Sequence, residues 1–269
     1  MYNIIFLHIP KTAGTTFKQI IQRNYARNVR FGLDGEEKYM TGQKFRNLSY
    51  EERNNIKLLG GHINFGMHNS FNDKNNVKYI TFLRDPIQRE ISYYNYVLRI
   101  KQHVHHREVI EKKMTLEDYI TSDMHKMLLN SQTKQIVGMQ GGLQSESVIF
   151  SGNILELAKN NINEHFIFSG ITEQFDKGII LLYKILNWKF PLYYRSLNIA
   201  PNNLKYSKIS DKTMQLIADQ NQLDIQLYEY VKNAFIKEIE HNKDYINRHM
   251  HLLKMFNYLY NFYNKIHKN

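Results

Sequence analysis

Apolar positions recur along this chain with two different periods. Short, nearly continuous apolar runs stand at residues 3–8 (NIIFLH), 56–59 (IKLL), 77–83 (VKYITFL) and 164–169 (EHFIFS). Runs of that length, bounded by Gly, Pro or Asp, read as buried strands. After them the spacing changes to threes and fours. Phe17, Ile20 and Ile21 share one helical face, and Ile179, Ile180, Leu182 and Leu186 share another. Helix-start chemistry sits at the junctions: Thr15 or Thr16 is placed to cap the first helix, and Asp85 followed by Pro86 supplies an N-cap and a first-turn proline. The helix after Pro86 is predicted to run to about residue 101, and Thr172 opens the next one.

Strands alternating with helices predict an α/β fold with a central parallel sheet flanked by helices. Residues 28–50 and 101–147 follow neither period and read as loops, the second His-rich at 103–106 and Gly-rich at Gly138, Gly141 and Gly142. The last glycine is Gly178 and the last proline Pro201, so residues 210–269 are predicted to form a helical C-terminal region of two or three segments. With no internal repeat and no linker, residues 1–269 read as one domain.

Composition narrows this little. A hydrophobic fraction of 42% and 13% aromatics suffice for a packed core. The 36 Lys and Arg against 25 Asp and Glu give a formal net charge of +11, which predicts attraction to nucleotides, nucleic acid, acidic glycans or anionic lipid. The absence of cysteine excludes disulfides, thiolate metal sites and a Cys nucleophile. No charged n-region precedes a long apolar segment, and no run approaches the roughly 18 apolar residues of a membrane span. A soluble cytoplasmic protein is expected.

Two stretches carry chemistry. Residues 8–17 (HIPKTAGTTF) join a strand to a helix through Lys11, Gly14 and three threonines. Such a loop presents backbone N–H donors at a helix N-terminus, an anion site. It is not the Walker arrangement, because Lys11 precedes the glycine by three positions instead of following it. In residues 81–96 (TFLRDPIQREISYYNY), Arg84 stands at the carboxyl end of a strand and Ser92 eight positions on. Both could grip one phosphate, Arg84 through its guanidinium fork and Ser92 through its hydroxyl. A structural Arg89–Asp85 pair tying the turn is the alternative. The HVHH run at 103–106 lacks a carboxylate or Cys partner at ligand spacing, so it reads as a solvated basic loop and not a metal site.

Together, PKTAGTTF and RDPIQREISYY resemble the 5′-phosphosulfate and 3′-phosphate motifs of sulfotransferases that use 3′-phosphoadenosine 5′-phosphosulfate (PAPS). The intervening GHINF and residues 161–182 (NINEHFIFSGITEQFDKGIILL) are similar to the carbohydrate branch that includes heparan sulfate 2-O-sulfotransferase. The resemblance implies a P-loop-like phosphosulfate-binding loop after the first strand. It implies PAPS as donor, adenosine 3′,5′-bisphosphate as product, no metal, and a hydroxyl acceptor, a saccharide first of all, with no nucleic acid partner. Lys11 would hold the 5′-phosphosulfate and steady charge on the leaving oxygen. Thr12, Ala13, Gly14, Thr15 and Thr16 would cradle the same group, Arg84 and Ser92 the 3′-phosphate. His62 occupies the position of the family's catalytic base. Lys205, Tyr206 and Ser207 stand where relatives close a loop over the nucleotide, and residues 101–147 would face the acceptor. The chain departs from the heparan-type pattern at Gly60, where those enzymes carry a second histidine; any auxiliary role of that residue is absent here or supplied elsewhere, with His68 as the candidate.

Two rival readings remain open on sequence. An atypical P-loop kinase or NTPase would need a carboxylate to end a strand and hold Mg²⁺; the run 77–83 ends at Arg84 instead. A non-catalytic basic module binding nucleic acid or acidic glycan would need a charged patch with interleaved aromatics. The C-terminal stretch 250–268 (MHLLKMFNYLYNFYNKIHK) places Leu252, Met255, Phe256, Leu259, Phe262, Tyr263 and Ile266 at helical spacing. Packing against the core or against a second copy in a homo-oligomer is expected of that stripe, with peripheral membrane contact through an aromatic–basic face as the alternative.

Overall fold

The computed structural model describes residues 2–33, 41–139, 153–189, 191–194 and 208–266. Five strands, β1 (Asn3–Leu7), β2 (Arg30–Phe31), β3 (Leu58–Gly61), β4 (Val77–Leu83) and β5 (Phe166–Ile171), form one sheet in the order β2-β3-β1-β4-β5. Every pairing is parallel. β1 and β4 are buried almost throughout, because helices cover both faces of the sheet; this is why they read as continuous apolar runs. β3 and β5 start two residues later than their apolar runs. α8 (Ile154–His165) extends to the start of β5 and takes up Glu164 and His165.

The first helix, α1 (Gly14–Asn24), lays Phe17, Ile20 and Ile21 on the sheet. Its N-cap is Ala13 with no side-chain cap, so neither Thr15 nor Thr16 caps it as the sequence suggested. The expectation for Asp85 holds: its side chain accepts the Gln88 N–H, Pro86 occupies the first turn, and α4 (Pro86–Arg99) follows. Thr172 opens a 3₁₀ turn before α9 (Phe175–Ile185). Gly178 lets α9 approach the sheet, since a Cβ there would stand 2.8 Å from the Phe82 ring.

The stretches read as irregular contain order too short to show a period. Residues 28–50 hold β2 and α2 (Thr41–Arg46), with α3 (Tyr50–Asn55) beyond. Residues 101–147 hold α5 (His106–Glu111), α6 (Leu116–Thr121) and α7 (Ser131–Ile136), six residues each. Gly141 and Gly142 lie outside the described residues.

The C-terminal region forms three helices, as expected: α10 (Asp211–Gln220), α11 (Gln222–His241) and α12 (Lys243–Ile266). α11 belongs to the main core, with Phe235 at 5.9 Å from the Phe168 ring of β5. α7 and α11 cap each other. The buried Asp224 carboxylate accepts the N–H groups of Gln132 and Thr133 and the Thr133 hydroxyl, and Asn130 Oδ1 accepts those of Leu223 and Asp224. Each exchange satisfies donors that a helix start leaves open. It also fixes α7 over the carboxyl ends of the strands, where Gln132 and Gln135 are needed.

Candidate active site

β1 lies between β3 and β4, so residues far apart in sequence end their strands side by side. The sheet grows from β1 in both directions, which opens a crevice at the carboxyl ends, the usual ligand position in open α/β sheets. Lys11 follows β1, His62 follows β3 and Arg84 follows β4. All three line one cavity of about 820 Å³ together with Ala13, Gly14, Thr15, Thr16 and Ser92. Of the expected site residues that are described, only Thr12 stays out of the wall. It is buried, and its hydroxyl donates to the Ile9 carbonyl at 2.8 Å, closing the loop on itself. Lys205, Tyr206 and Ser207 lie outside the described residues.

The loop after β1 is held in an unusual backbone conformation. Lys11 and Ala13 have φ of 71° and 60°, the left-handed region that non-glycine residues seldom enter. Such strain persists where surrounding structure fixes it. One constraint is visible: Arg84 donates to the Lys11 carbonyl at 3.1 Å. Gly14 is required by space. A Cβ there would fall 1.8 Å from His8 Nε2, because the His8 imidazole lies across the loop. α1 begins without a side-chain cap and without an acidic residue in its first turn, so its positive end is open to an anion.

Lys11 Nζ sits 4.2 Å from the centroid of the Tyr96 ring. Burial, and then the charges of Arg99 and Arg84, bring its pKa from 10.5 down to about 8. Arg84 is pinned by Gln132, whose side chain accepts the Arg84 N–H at 3.0 Å and donates to the Arg84 carbonyl at 2.9 Å. Arg89 does not pair with Asp85. It is 1% exposed and bonds Glu90 at 2.5 Å, and Glu90 in turn meets His125 at 2.7 Å. Burial opposes the Glu90 charge, but Arg89 and His125 outweigh it and hold the carboxyl below its ordinary range. Arg89 Nε and Nη1 remain buried without a hydrogen-bond partner, and the residue lines the cavity. Ser131 Oγ and Thr172 Oγ1, two further lining residues, are in the same condition.

At the other end of the wall, the His62 ring stacks on His8 with centroids 4.3 Å apart. His62 Nδ1 lies 3.1 Å from the His8 carbonyl. A carbonyl only accepts, so Nδ1 carries the proton and Nε2 keeps the lone pair in the neutral ring. Gln135 Nε2 donates to the same His8 carbonyl at 3.1 Å and to the Ile63 carbonyl at 2.8 Å. α7 therefore staples the β1 loop to the β3 loop.

His68 does not supply a second imidazole. It is buried away from the cavity, with Nδ1 at 2.9 Å from the Tyr79 hydroxyl and its ring stacked on His165. Burial, then His165 and Lys74, push its pKa down to about 4. The neighbour of His62 is His8, and register shows why. Leu7 pairs with Gly61, so the next step along both strands sets His8 beside His62. At Gly60 a Cβ would meet Leu33 at 2.7 Å, so Leu33 fills the space that a side chain would need.

The 101–147 stretch also reaches the site. His103 lines the cavity beside Tyr93 and Tyr96, with Nε2 at 3.2 Å from the Tyr93 hydroxyl. Burial, then His105, His106 and Lys11, lower its pKa. His105 pairs with Tyr119 and His106 with the Val97 carbonyl, so the run bonds locally. Among the described residues no group of three His, Asp or Glu side chains could hold a metal ion. Among the described residues one carboxylate, Glu173, lines the cavity against Lys11, Arg84, Arg89 and Lys134. That balance suits a polyanion.

The residues missed on sequence are His8, Arg89 and Gln135. The first two lay within the quoted motifs; Gln135 came from a stretch with no legible period.

Residues 1–231 match the sulfotransferase family. Among curated proteins, human heparan-sulfate 6-O-sulfotransferase 3 is 25% identical over 90% of this chain and 60% of its own length. Human heparan-sulfate 6-O-sulfotransferase 1 is 25% identical over 89% and 67%. Mouse heparan sulfate 2-O-sulfotransferase 1 is 27% identical over 86% and 70%. The chain thus spans about 60% of the first of these relatives.

Proposed function

The chain belongs to the sulfotransferase family, and from that premise we propose that it moves the sulfuryl group of PAPS to a saccharide hydroxyl. The saccharide is inferred from relatives named for heparan sulfate. The observation that carries the reading is the convergence on one cavity of Lys11, His62 and Arg84 from three adjacent strand ends and of Ser92 from α4.

The cavity residues fit this donor. Lys11 and the uncapped start of α1 would take the 5′-phosphosulfate. Arg84 and Ser92 would take the 3′-phosphate. Phe175 and Tyr194, whose rings meet edge to face at 5.4 Å, line the cavity and offer apolar surface for the purine. In the reaction the acceptor oxygen would bond to sulfur as the sulfur–oxygen bond to the phosphate breaks. His62 Nε2 would take the acceptor proton, and Lys11 would offset charge on the departing phosphate oxygen.

Incubation with sulfur-labelled PAPS and a panel of glycans, phenols and peptides tests this. Label is expected on a glycan, with competition by adenosine 3′,5′-bisphosphate and no loss in EDTA. Tighter binding of ATP than of adenosine 3′,5′-bisphosphate, with turnover abolished by EDTA, would overturn it in favour of a kinase or NTPase.

The same reading gives Gln135 a positioning role. Gln135→Ala is expected to lower kcat about tenfold, the scale of one or two hydrogen bonds at roughly 1 kcal/mol each. Affinity for adenosine 3′,5′-bisphosphate should be kept. An unchanged kcat would show that strand pairing alone holds His62 in place.

A further inference from the structure

α12 carries a surface that neither the core nor the cavity uses. Its inner face is engaged: Ile246 and Leu253 are buried, Asn257 Oδ1 accepts the Tyr194 N–H at 2.8 Å, and the Tyr260 ring lies 4.7 Å from Tyr193. Its outer face is exposed. Leu252, Met255, Leu259 and Phe262 are 39%, 47%, 52% and 54% exposed, and Tyr258 and Tyr263 are 71% and 60% exposed. This departs from the core packing that the stripe predicts. At 3.6 residues per turn these six positions cover a broad arc, wider than the narrow seam by which helices pair in a coiled coil.

Charge selects the occupant. After Asp244 the chain has no acidic residue, whereas the exposed Arg248 and Lys254 follow on α12. Pairing with a second copy would bring two basic faces together. An anionic bilayer is complementary to both features: apolar and aromatic side chains enter the headgroup boundary while basic side chains meet the lipid phosphates. We infer that the outer face of α12 docks the protein on an anionic lipid surface, lying along it without crossing it. No helix among the described residues is long and apolar enough to span a membrane. The docked helix is tied to the cavity wall, because Asn257 bonds Tyr194, a lining residue, and Tyr260 meets the adjacent Tyr193.

Co-sedimentation of the full chain with vesicles tests the inference, using phosphatidylcholine alone and phosphatidylcholine mixed with phosphatidylglycerol. Binding is expected only to the mixed vesicles and should weaken as salt rises. The double variant Leu259→Asp, Phe262→Asp should lose at least about tenfold in partitioning, since two apolar side chains no longer enter the boundary. Its circular dichroism and its affinity for adenosine 3′,5′-bisphosphate should match the parent, because both positions are exposed and neither lines the cavity. Three results would overturn the inference: no binding to the mixed vesicles, unchanged binding by the double variant, or a sedimentation-velocity dimer that the double variant abolishes. None bears on sulfuryl transfer to a soluble acceptor, so the two readings fail separately.

Discussion

Replacing His62 with alanine is expected to lower kcat by about 10²–10⁴-fold, the usual worth of a positioned general base, while adenosine 3′,5′-bisphosphate binds as before. The geometry behind this is the Nδ1 contact to the His8 carbonyl at 3.1 Å. It consumes the proton-bearing nitrogen and leaves Nε2 as the lone-pair atom. His62→Asn sharpens the test, because its amide can still donate to His8 but has no basic nitrogen. If positioning were the whole role of His62, the asparagine variant would recover most of the activity. If it is the base, asparagine and alanine should be equally slow. His8 must be tested beside it, since its ring lies 4.3 Å away and also lines the cavity. A His62→Ala enzyme with near-parental kcat, combined with an inactive His8→Ala, would move the base to His8. Single-turnover measurement with saturating PAPS reads the chemical step directly and keeps product release out of the comparison.

The contrast between His8 and His68 shows what the sequence could and could not disclose. His68 was the residue named on sequence for a second imidazole, whereas His8 was quoted only as the start of the loop motif. Strand adjacency decides otherwise. Once β1 and β3 are known to pair Leu7 with Gly61, the His8–His62 neighbourhood follows without further information. Strands β1 and β4, and the Asp85–Pro86 helix start, were legible because buried parallel strands and capped helices leave local signatures. α7 was not legible. It is six residues long, too short for a period, and it is held by Asp224 from 91 residues away in sequence. Yet α7 supplies Gln132 behind Arg84 and Gln135 behind His62. The groups that touch the anion were visible in the motifs, whereas those that aim them depend on long-range contacts. Arg89 falls between the two: it stood inside a quoted motif, but its partners, Glu90 and the Leu128 carbonyl, appear only in the fold.

Lys11 should give the second large effect, and one with a distinctive pH signature. Lys11→Ala removes the only lysine of the β1 loop and is expected to lower kcat/KM about a hundred- to a thousandfold, the scale of losing one preorganised charge-stabilising donor. An ordinary lysine would stay charged to pH 10.5, but this one loses its proton near pH 8 because it is buried and faces Arg99 and Arg84. The active form is the charged one. On the alkaline side, activity of the free enzyme, read as kcat/KM, should therefore fall as pH rises through about 8. A bound anion favours the ammonium, so the same limb should appear at higher pH in kcat. Lys11→Arg separates the charge from its titration. Its guanidinium remains protonated throughout this range, so whatever activity it retains should show no alkaline fall. Persistence of the fall in Lys11→Arg would assign that limb to another group, and a parental pH profile extending flat beyond pH 10 would refute the lowered pKa of Lys11.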